Sequence, residues 1–324
     1  MDRELQRKML RQMVLIRHFE EKCAELYAGA KIGGFLHLYI GEEAIAVGAI
    51  NALEANDDVI THYRDHGHAI AKGVDINGLM AELCGRATGV CKGRGGSMHL
   101  ADVNHKMWGG YAIVGGHLPL ATGLAHSHLY NKTGNITVSF TGDASCDIGE
   151  FHEAMNFSAL WKLPVLWIVE NNLYGMGVPI AQNTSQQEIY KKAASYNMPS
   201  VRVDGMDVEA MHEAVTKAAA HIRSGNGPYF IEAMTYRFRG HSMADPELYR
   251  DKAEVEAYKK KDPINQYRAK LEKAKVLKKG EFDTLDAETQ SEVNACAEFA
   301  VNSPFPDESS LFDFVYATPL EGNR

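Results

Sequence analysis

The sequence predicts an α/β fold: a central, mostly parallel sheet flanked by helices, with a helical carboxyl-terminal tail. Two strand–helix–strand units carry that prediction. The clearer one opens with Ile136 to Phe140, rich in β-branched and aromatic residues and stopped by Gly142. Glu150 to Leu160 then places Phe151, Met155 and Leu160 at helical spacing and ends before Pro164. Val165 to Val169 is a second apolar run, halted by Glu170-Asn171-Asn172. The other unit reads Val201 to Val203 as a strand, Asp207 to Ser224 as a helix and Tyr229 to Tyr236 as a strand. Strands joined through a helix run parallel, so their carboxyl ends share one edge of the sheet. Asp143, Asn172 and the loop after Tyr236 should therefore meet at that edge.

The other elements follow in order. Glu4 to Gly29 is a charged amphipathic helix with apolar positions at Met9, Met13, Ile16, Phe19, Cys23 and Leu26. A glycine-hinged loop, Gly33 to Tyr39, enters a helix from Glu42 to Leu53. Val59 to His68 (VITHYRDHGH) is a short strand running into a polar cluster in which His66 and His68 have no evident partner. Gly85 to Leu100 (GRATGVCKGRGGSMHL) is too rich in glycine for a helix and too basic for an inert turn. It lacks the G-x-x-x-x-G-K-[ST] order of a nucleotide P-loop and reads as a loop framing the site and touching a partner chain. Gly109 to Gly116 (GGYAIVGG) precedes a small-residue helix through Ala125, suited to burial or a subunit contact. After Gly177 a polar stretch leads into a helix ending at Tyr196. From Asp251 the chain is charged and helical, ending in segments punctuated by Pro and Phe near Pro304 to Phe314. The expected division is an α/β domain over 1–250 and a helical extension over 251–324 packed on it.

Composition narrows the partners. The net charge of −8 speaks against non-specific nucleic-acid binding, and no apolar run is long enough to cross a bilayer. The amino terminus lacks the apolar core of a signal peptide and the acid-poor character of a transit peptide. Five cysteines with no C-x-x-C read as reduced thiols, which fits a cytoplasmic protein or a mature chain in a mitochondrial matrix. Cys146 reads as a small residue in a crowded turn.

The chemistry concentrates at the shared edge. A carboxylate from Asp143 and an amide oxygen from Asn172 begin an oxygen-only shell of the kind magnesium prefers, completed by phosphate and water. The Gly142 turn lets backbone N–H groups approach a diphosphate. The bland alternative is a capping Asp at a tight turn and an Asn closing the next one. Tyr63-Arg64 offers a phenol beside a guanidinium fork, suited to phosphate. Arg237 to Pro246 (RFRGHSMADP) returns two arginines and His241 to the same edge. A nicotinamide dehydrogenase would need G-x-G-x-x-G after the first strand, and no such arrangement is present.

Gly142-Asp143, roughly thirty residues, then Asn171-Asn172 resembles the thiamine diphosphate signature. Asn171 to Gly177 (NNLYGMG), GRGGSMH and RGHSMADP resemble the alpha subunits of the two-chain 2-oxo-acid dehydrogenases, the pyruvate-acting members above all. The likeness runs from about Leu15 to Pro263. It implies a thiamine diphosphate-binding fold with Mg²⁺ held by Asp143, Asn172 and the Tyr174 carbonyl. It further implies a diphosphate held by Tyr63, Arg64 and His241, with Ala144 and Ser145 in the turn beside it. Ala112 and Val114 would hold the aminopyrimidine ring, and His37 and His241 would serve substrate binding and proton traffic. Ala144 and Ala112 stand where glycine is usual. The resemblance also implies a beta subunit that supplies a glutamate, in a heterotetramer of two alpha and two beta chains. A dihydrolipoyl acyltransferase core would accept the acyl group from a 2-oxo acid on its lipoyl group. The acetoin enzyme shares the Met80 to Leu100 loop, whereas the branched-chain members carry a Ser-Pro-Leu-Ala-Thr loop that is absent here. A silent cofactor-binding subunit is the non-enzyme alternative. A phosphate on Ser242 would block the site.

Overall fold

A computed structural model describes residues 1–316. Six parallel strands form one sheet: β1 (Asp58–His62), β2 (Met107–Tyr111), β3 (Thr137–Gly142), β4 (Val165–Asn171), β7 (Ser200–Asp204) and β8 (Tyr229–Met234). Their spatial order is β2-β1-β3-β4-β8-β7. A short antiparallel hairpin, β5 (Tyr174–Gly175) with β6 (Val178–Pro179), follows β4. The helices are α1 (Arg3–Ala28), α2 (Glu43–Ile50), α3 (His66–Lys72), α4 (Ile76–Leu83), α5 (Leu118–Asn131) and α6 (Gly149–Leu160). They continue with α7 (Ile180–Asn183), α8 (Val208–His221), α9 (Lys252–Lys259), α10 (Pro263–Lys273) and α11 (Glu281–Asn302). None among the described residues is long and apolar enough to cross a membrane.

Strands β3 and β4 are the centre of the sheet because every residue of β4, and nearly every residue of β3, is buried. Alternation splits them between two cores. Val138, Phe140, Leu166 and Ile168 join the larger core, with residues of α1, α2, α8, α10 and α11. Val165, Trp167 and Val169 face the other way, onto Leu118 and Ala121 of α5 and Phe151 and Met155 of α6. Both strand–helix–strand units form as expected, with Gly142 opposite Glu170 and Val201 opposite Ile231.

Three elements differ from expectation. Residues Met107 to Tyr111, read as part of a glycine loop, form edge strand β2. Gly109 at φ +113 and an irregular register between Val59 and Thr61 hide the two-residue period that marks a strand. The segment ending at Tyr196 is a 3₁₀ helix, Ile189–Tyr196. Helix α11, read only as part of an undivided helical extension, buries Thr289, Val293, Cys296, Ala297 and Ala300, small side chains that leave a faint stripe. Because Val293, Cys296 and Ala300 belong to the larger core, α11 is part of the α/β body. Residues 317–324 of the expected extension lie outside the described residues.

The topology sets the ligand's place. From β1 the chain moves to β2 on one side, then crosses back to β3 on the other. The carboxyl ends of β1 and β3 therefore flank a point where the strand order reverses, where open α/β sheets bind ligands.

Candidate functional site

A cavity of about 240 Å³ opens at that point, and four strand ends supply its walls. Strand β1 delivers Tyr63 and Arg64, β3 delivers Asp143, Ala144 and Ser145, β4 delivers Asn172 and Tyr174, and β8 delivers Arg237 and His241. Val114 reaches the wall from the loop before α5 and is 48% exposed. Ala112, two residues earlier and partly exposed, is not a wall residue. Nor is His37: its ring packs 4.6 Å from Tyr63 and 5.0 Å from His241, centroid to centroid, and those two rings stand at the wall. No residue of the glycine-rich loop 85–100 lines the cavity.

Asp143 is buried, and among the described residues its Oδ2 has no hydrogen-bond partner. Burial pushes its pKa up to about 6, opposed by backbone N–H groups of Asp143 and Asn172 and by the Arg237 charge. A buried carboxylate oxygen without a partner costs roughly 1–3 kcal/mol, so this one calls for a cation. Asn172 is held for the same purpose. Its Nδ2 donates to Glu42 Oε1 at 3.1 Å, fixing the amide so that Oδ1 is its acceptor face. Glu42 is itself buried, with burial raising its pKa to about 7. Sequence reasoning passed over Glu42, because a Glu at a helix start reads as solvated.

Two guanidinium groups stand at the cavity. Arg64 is buried and spends its donors on main-chain carbonyls: Nη1 on Leu38 at 2.8 Å and Nη2 on His241 at 2.6 Å. Arg237 donates to the Met176 carbonyl at 3.1 Å and to the Tyr249 hydroxyl at 2.9 Å. Each is thus anchored by neutral acceptors, which leaves its charge uncompensated by a direct carboxylate contact. Arg250 steadies the loop behind them by donating to the carbonyls of Arg237 and Arg239 at 2.6 and 2.7 Å. The two arginines also act on the histidines. Burial and then the Arg64 charge lower His37 to about 2 and His241 to about 3, so both imidazoles are neutral.

The histidines left without partners by the sequence now have them. His68 Nε2 lies 3.1 Å from Glu170 Oε1 and His62 Nε2 2.6 Å from Glu170 Oε2, while the Tyr39 hydroxyl also donates to Glu170. Burial alone would raise Glu170, but the imidazoles of His68 and His62 hold it below the usual carboxylate range. His66 Nδ1 lies 2.9 Å from Glu20 Oε2, with its Nε2 against the Ser97 hydroxyl at 2.9 Å. Nothing local in the sequence pairs these groups, since Glu20 sits on α1 and Glu170 at the end of β4.

Ala144 does not need a glycine's freedom: it is absent from the residues with positive φ. Its methyl occupies the space beside Gly175, where an added Cβ would lie 2.5 Å from Ala144 Cβ. Ser145 turns its hydroxyl onto the Gly142 carbonyl at 2.6 Å, and Cys146 is buried in the same turn.

A buried carboxylate, an oriented amide and two anchored guanidinia meet at the reversal point of a parallel sheet, a set of groups suited to an anionic cofactor. The chain belongs to the dehydrogenase E1 component family, which it matches over residues 11–309. That family depends in general on thiamine diphosphate. The chain is 43% identical, over 309 residues, to the pyruvate dehydrogenase E1 component subunit alpha of Rickettsia bellii, covering 95% of each chain. It is 45% identical over 306 residues to the namesake from Rhizobium meliloti, covering 94% of this chain and 88% of that one. Against the chloroplastic subunit alpha-3 of Arabidopsis thaliana it is 42% identical over 318 residues, covering 96% and 74%.

Proposed function

We propose that this chain is the alpha subunit of a pyruvate dehydrogenase. In that role it decarboxylates pyruvate on thiamine diphosphate with Mg²⁺ and hands the acetyl group to the lipoyl group of a dihydrolipoyl acetyltransferase. The observation that carries the reading is the Oδ2 of buried Asp143, without a partner among the described residues and set among Asn172, Arg64 and Arg237 at one cavity. Relatives that share more than two-fifths of their residues with nearly the whole chain, all named as pyruvate dehydrogenase alpha subunits, support the substrate.

The residues divide the work by chemistry. Asp143 Oδ2, Asn172 Oδ1 and the Tyr174 carbonyl would hold Mg²⁺, a hard cation that takes oxygen ligands. Arg64 and Arg237, which make no direct ion pair among the described residues, face the diphosphate, and the Tyr63 hydroxyl adds a donor. Bound thiamine diphosphate supplies the carbanion chemistry that releases carbon dioxide from a 2-oxo acid. Neutral His241 offers the substrate carbonyl a hydrogen bond without adding a third positive charge. His37, packed on Tyr63 and His241, keeps that ring oriented. Val114 and Met176 supply apolar wall that limits water at the reacting end.

No described carboxylate is assigned the aminopyrimidine, which a beta subunit would provide, giving a tetramer of two alpha and two beta chains. The test is reconstitution with a beta chain and measurement of carbon dioxide release from pyruvate, acetoin and 2-oxoisovalerate. Pyruvate should be preferred by at least tenfold, and the chain alone should release none. Turnover by the isolated chain, or preference for another substrate, overturns the reading.

A further inference from the structure

The glycine-rich loop 85–100 forms a cradle of backbone amides that is filled from within the chain. The carboxylate of Glu82, in the last turn of α4, accepts four backbone N–H groups. Oε2 takes those of Cys91 and Gly93, both at 2.8 Å, and Oε1 takes those of Gly95 and Gly96 at 2.7 and 3.2 Å. Glu82 is fully buried. The glycines are there to let the backbone close around it. A Cβ at Gly89 would sit 2.2 Å from Glu82 Oε2, and Gly93 and Gly96 hold φ of +76 and +61.

The basic residues of the loop turn away from this anion. Arg86 lies over Phe305, with the guanidinium carbon 3.8 Å from the ring centroid, and Lys92 Nζ lies 4.4 Å from that of Phe314. Arg94 Nη2 donates to the Ser310 carbonyl at 2.7 Å. The loop is thus pinned inside by Glu82 and outside by residues 303–314.

Its downstream end grips both ligand-facing turns of the cavity. Ser97 meets His66, and the Leu100 backbone N–H donates to Asp65 Oδ2 at 2.9 Å, two residues and one residue beyond Arg64. The Gly110 N–H donates to the Leu100 carbonyl at 3.1 Å, and the His99 ring lies 3.2 Å from the Gly110 carbonyl. Gly110 leads directly into the turn that carries Val114.

We propose that Glu82 is a positioning residue of the cofactor site. Its carboxylate is the built-in anion that folds loop 85–100, and the folded loop holds Arg64 and the 112–114 turn in register for the diphosphate cofactor. The loop's dependence on an anion stands alone, whereas its link to cofactor affinity rests on the function proposed above.

The experiment uses the full chain reconstituted with its beta partner. In Glu82→Ala, amide hydrogen exchange over 85–100 should speed up at least tenfold, the effect of losing about 1.4 kcal/mol of protection. Sodium formate, a carboxylate small enough for the vacated cradle, should restore that protection, and sodium chloride at equal ionic strength should not. The thiamine diphosphate concentration giving half-maximal activity should rise about tenfold, with kcat at saturating cofactor unchanged, and formate should reverse the rise. Glu82→Gln, which fills the cradle but sets an NH₂ against two N–H groups, should loosen the loop without formate rescue. It covers the case in which the alanine variant does not fold. Unchanged exchange, rescue by chloride as well as by formate, or a loosened loop with unmoved half-saturation each overturns the proposal. Absence of thiamine diphosphate binding by the unmutated protein in calorimetry would instead sink the proposed function and leave the loop result standing.

Discussion

Asp143 and Glu82 are both buried carboxylates beside turns that contain glycine, and they could hardly be treated more differently. Glu82 accepts four main-chain N–H groups, so its charge is answered entirely within the chain. Asp143 keeps one oxygen with no partner among the described residues, facing a cavity with two guanidinia. A satisfied anion builds scaffold, and an unsatisfied one waits for a ligand. Glycine content alone does not separate the two cases; hydrogen-bond accounting does.

The comparison breaks most visibly at Asp143. Asp143→Asn should weaken magnesium-dependent thiamine diphosphate binding by more than about a hundredfold in titration calorimetry, since it removes an anionic ligand at the cavity wall. The same change should stabilise the ligand-free chain by about 1 kcal/mol in urea denaturation, because an unpaired buried charge disappears. A variant that binds normally would move Asp143 into the scaffold class.

A second carboxylate of the satisfied kind, Glu20, gives a pH test. Burial would lower His66, but the charge and hydrogen bond of Glu20, the charge of Asp65 and the Ser97 carbonyl together outweigh it and raise His66 to about 9. A folded-state value above the unfolded one, about 6.5, means the stabilisation is fully present below pH 6.5 and is lost as pH rises through 9. Unfolding free energy should fall by on the order of 2–3 kcal/mol across that window. His66→Asn should flatten the slope; a slope unchanged in that variant would remove the pair from the account.

Glu42 sits between the classes, one oxygen on Asn172 and the other without a partner among the described residues. Glu42→Leu frees the Asn172 amide to turn its nitrogen toward the cation and should cost about tenfold in magnesium affinity. Isothermal titration with Mg²⁺ at saturating cofactor checks this. The smallest effect is expected at Ala144→Gly: under about 1 kcal/mol of stability and no change in cofactor binding, because Ala144 already has an ordinary backbone. Gly175→Ala, which drives a methyl against Ala144, should cost more in the same denaturation measurement.

The strand–helix–strand units were legible because β3, β4 and β8 are unbroken apolar runs and the helices between them keep their period. Their parallel pairing put Asp143 and Asn172 at one edge, and the tyrosine, arginine and histidine expected with them line the same cavity. What escaped reading has a common cause. Edge strand β2 carries two glycines, and α11, inside the expected helical extension, buries small side chains, so neither the strand nor the bounds of the helix give a strong periodic signal. Glu20, Glu42 and Glu170 looked like surface charges, because the residues that neutralise or orient them lie far off in sequence. His37 was expected to face the substrate and instead backs the rings that form the wall. The loop at 85–100 was read as framing the site and touching a partner chain; its amides close on Glu82, and its cations point outward.

That outward fastening has a consequence during synthesis. Arg94 meets Ser310 across a separation of 216 residues, one of the most distant contacts the chain makes. A ribosome releases the loop long before it releases the segment that straps it down, so the nascent chain carries a half-secured Arg64 corner throughout translation. Trimming the chain after Asn302 would leave the sheet in place and recreate that unfinished molecule permanently.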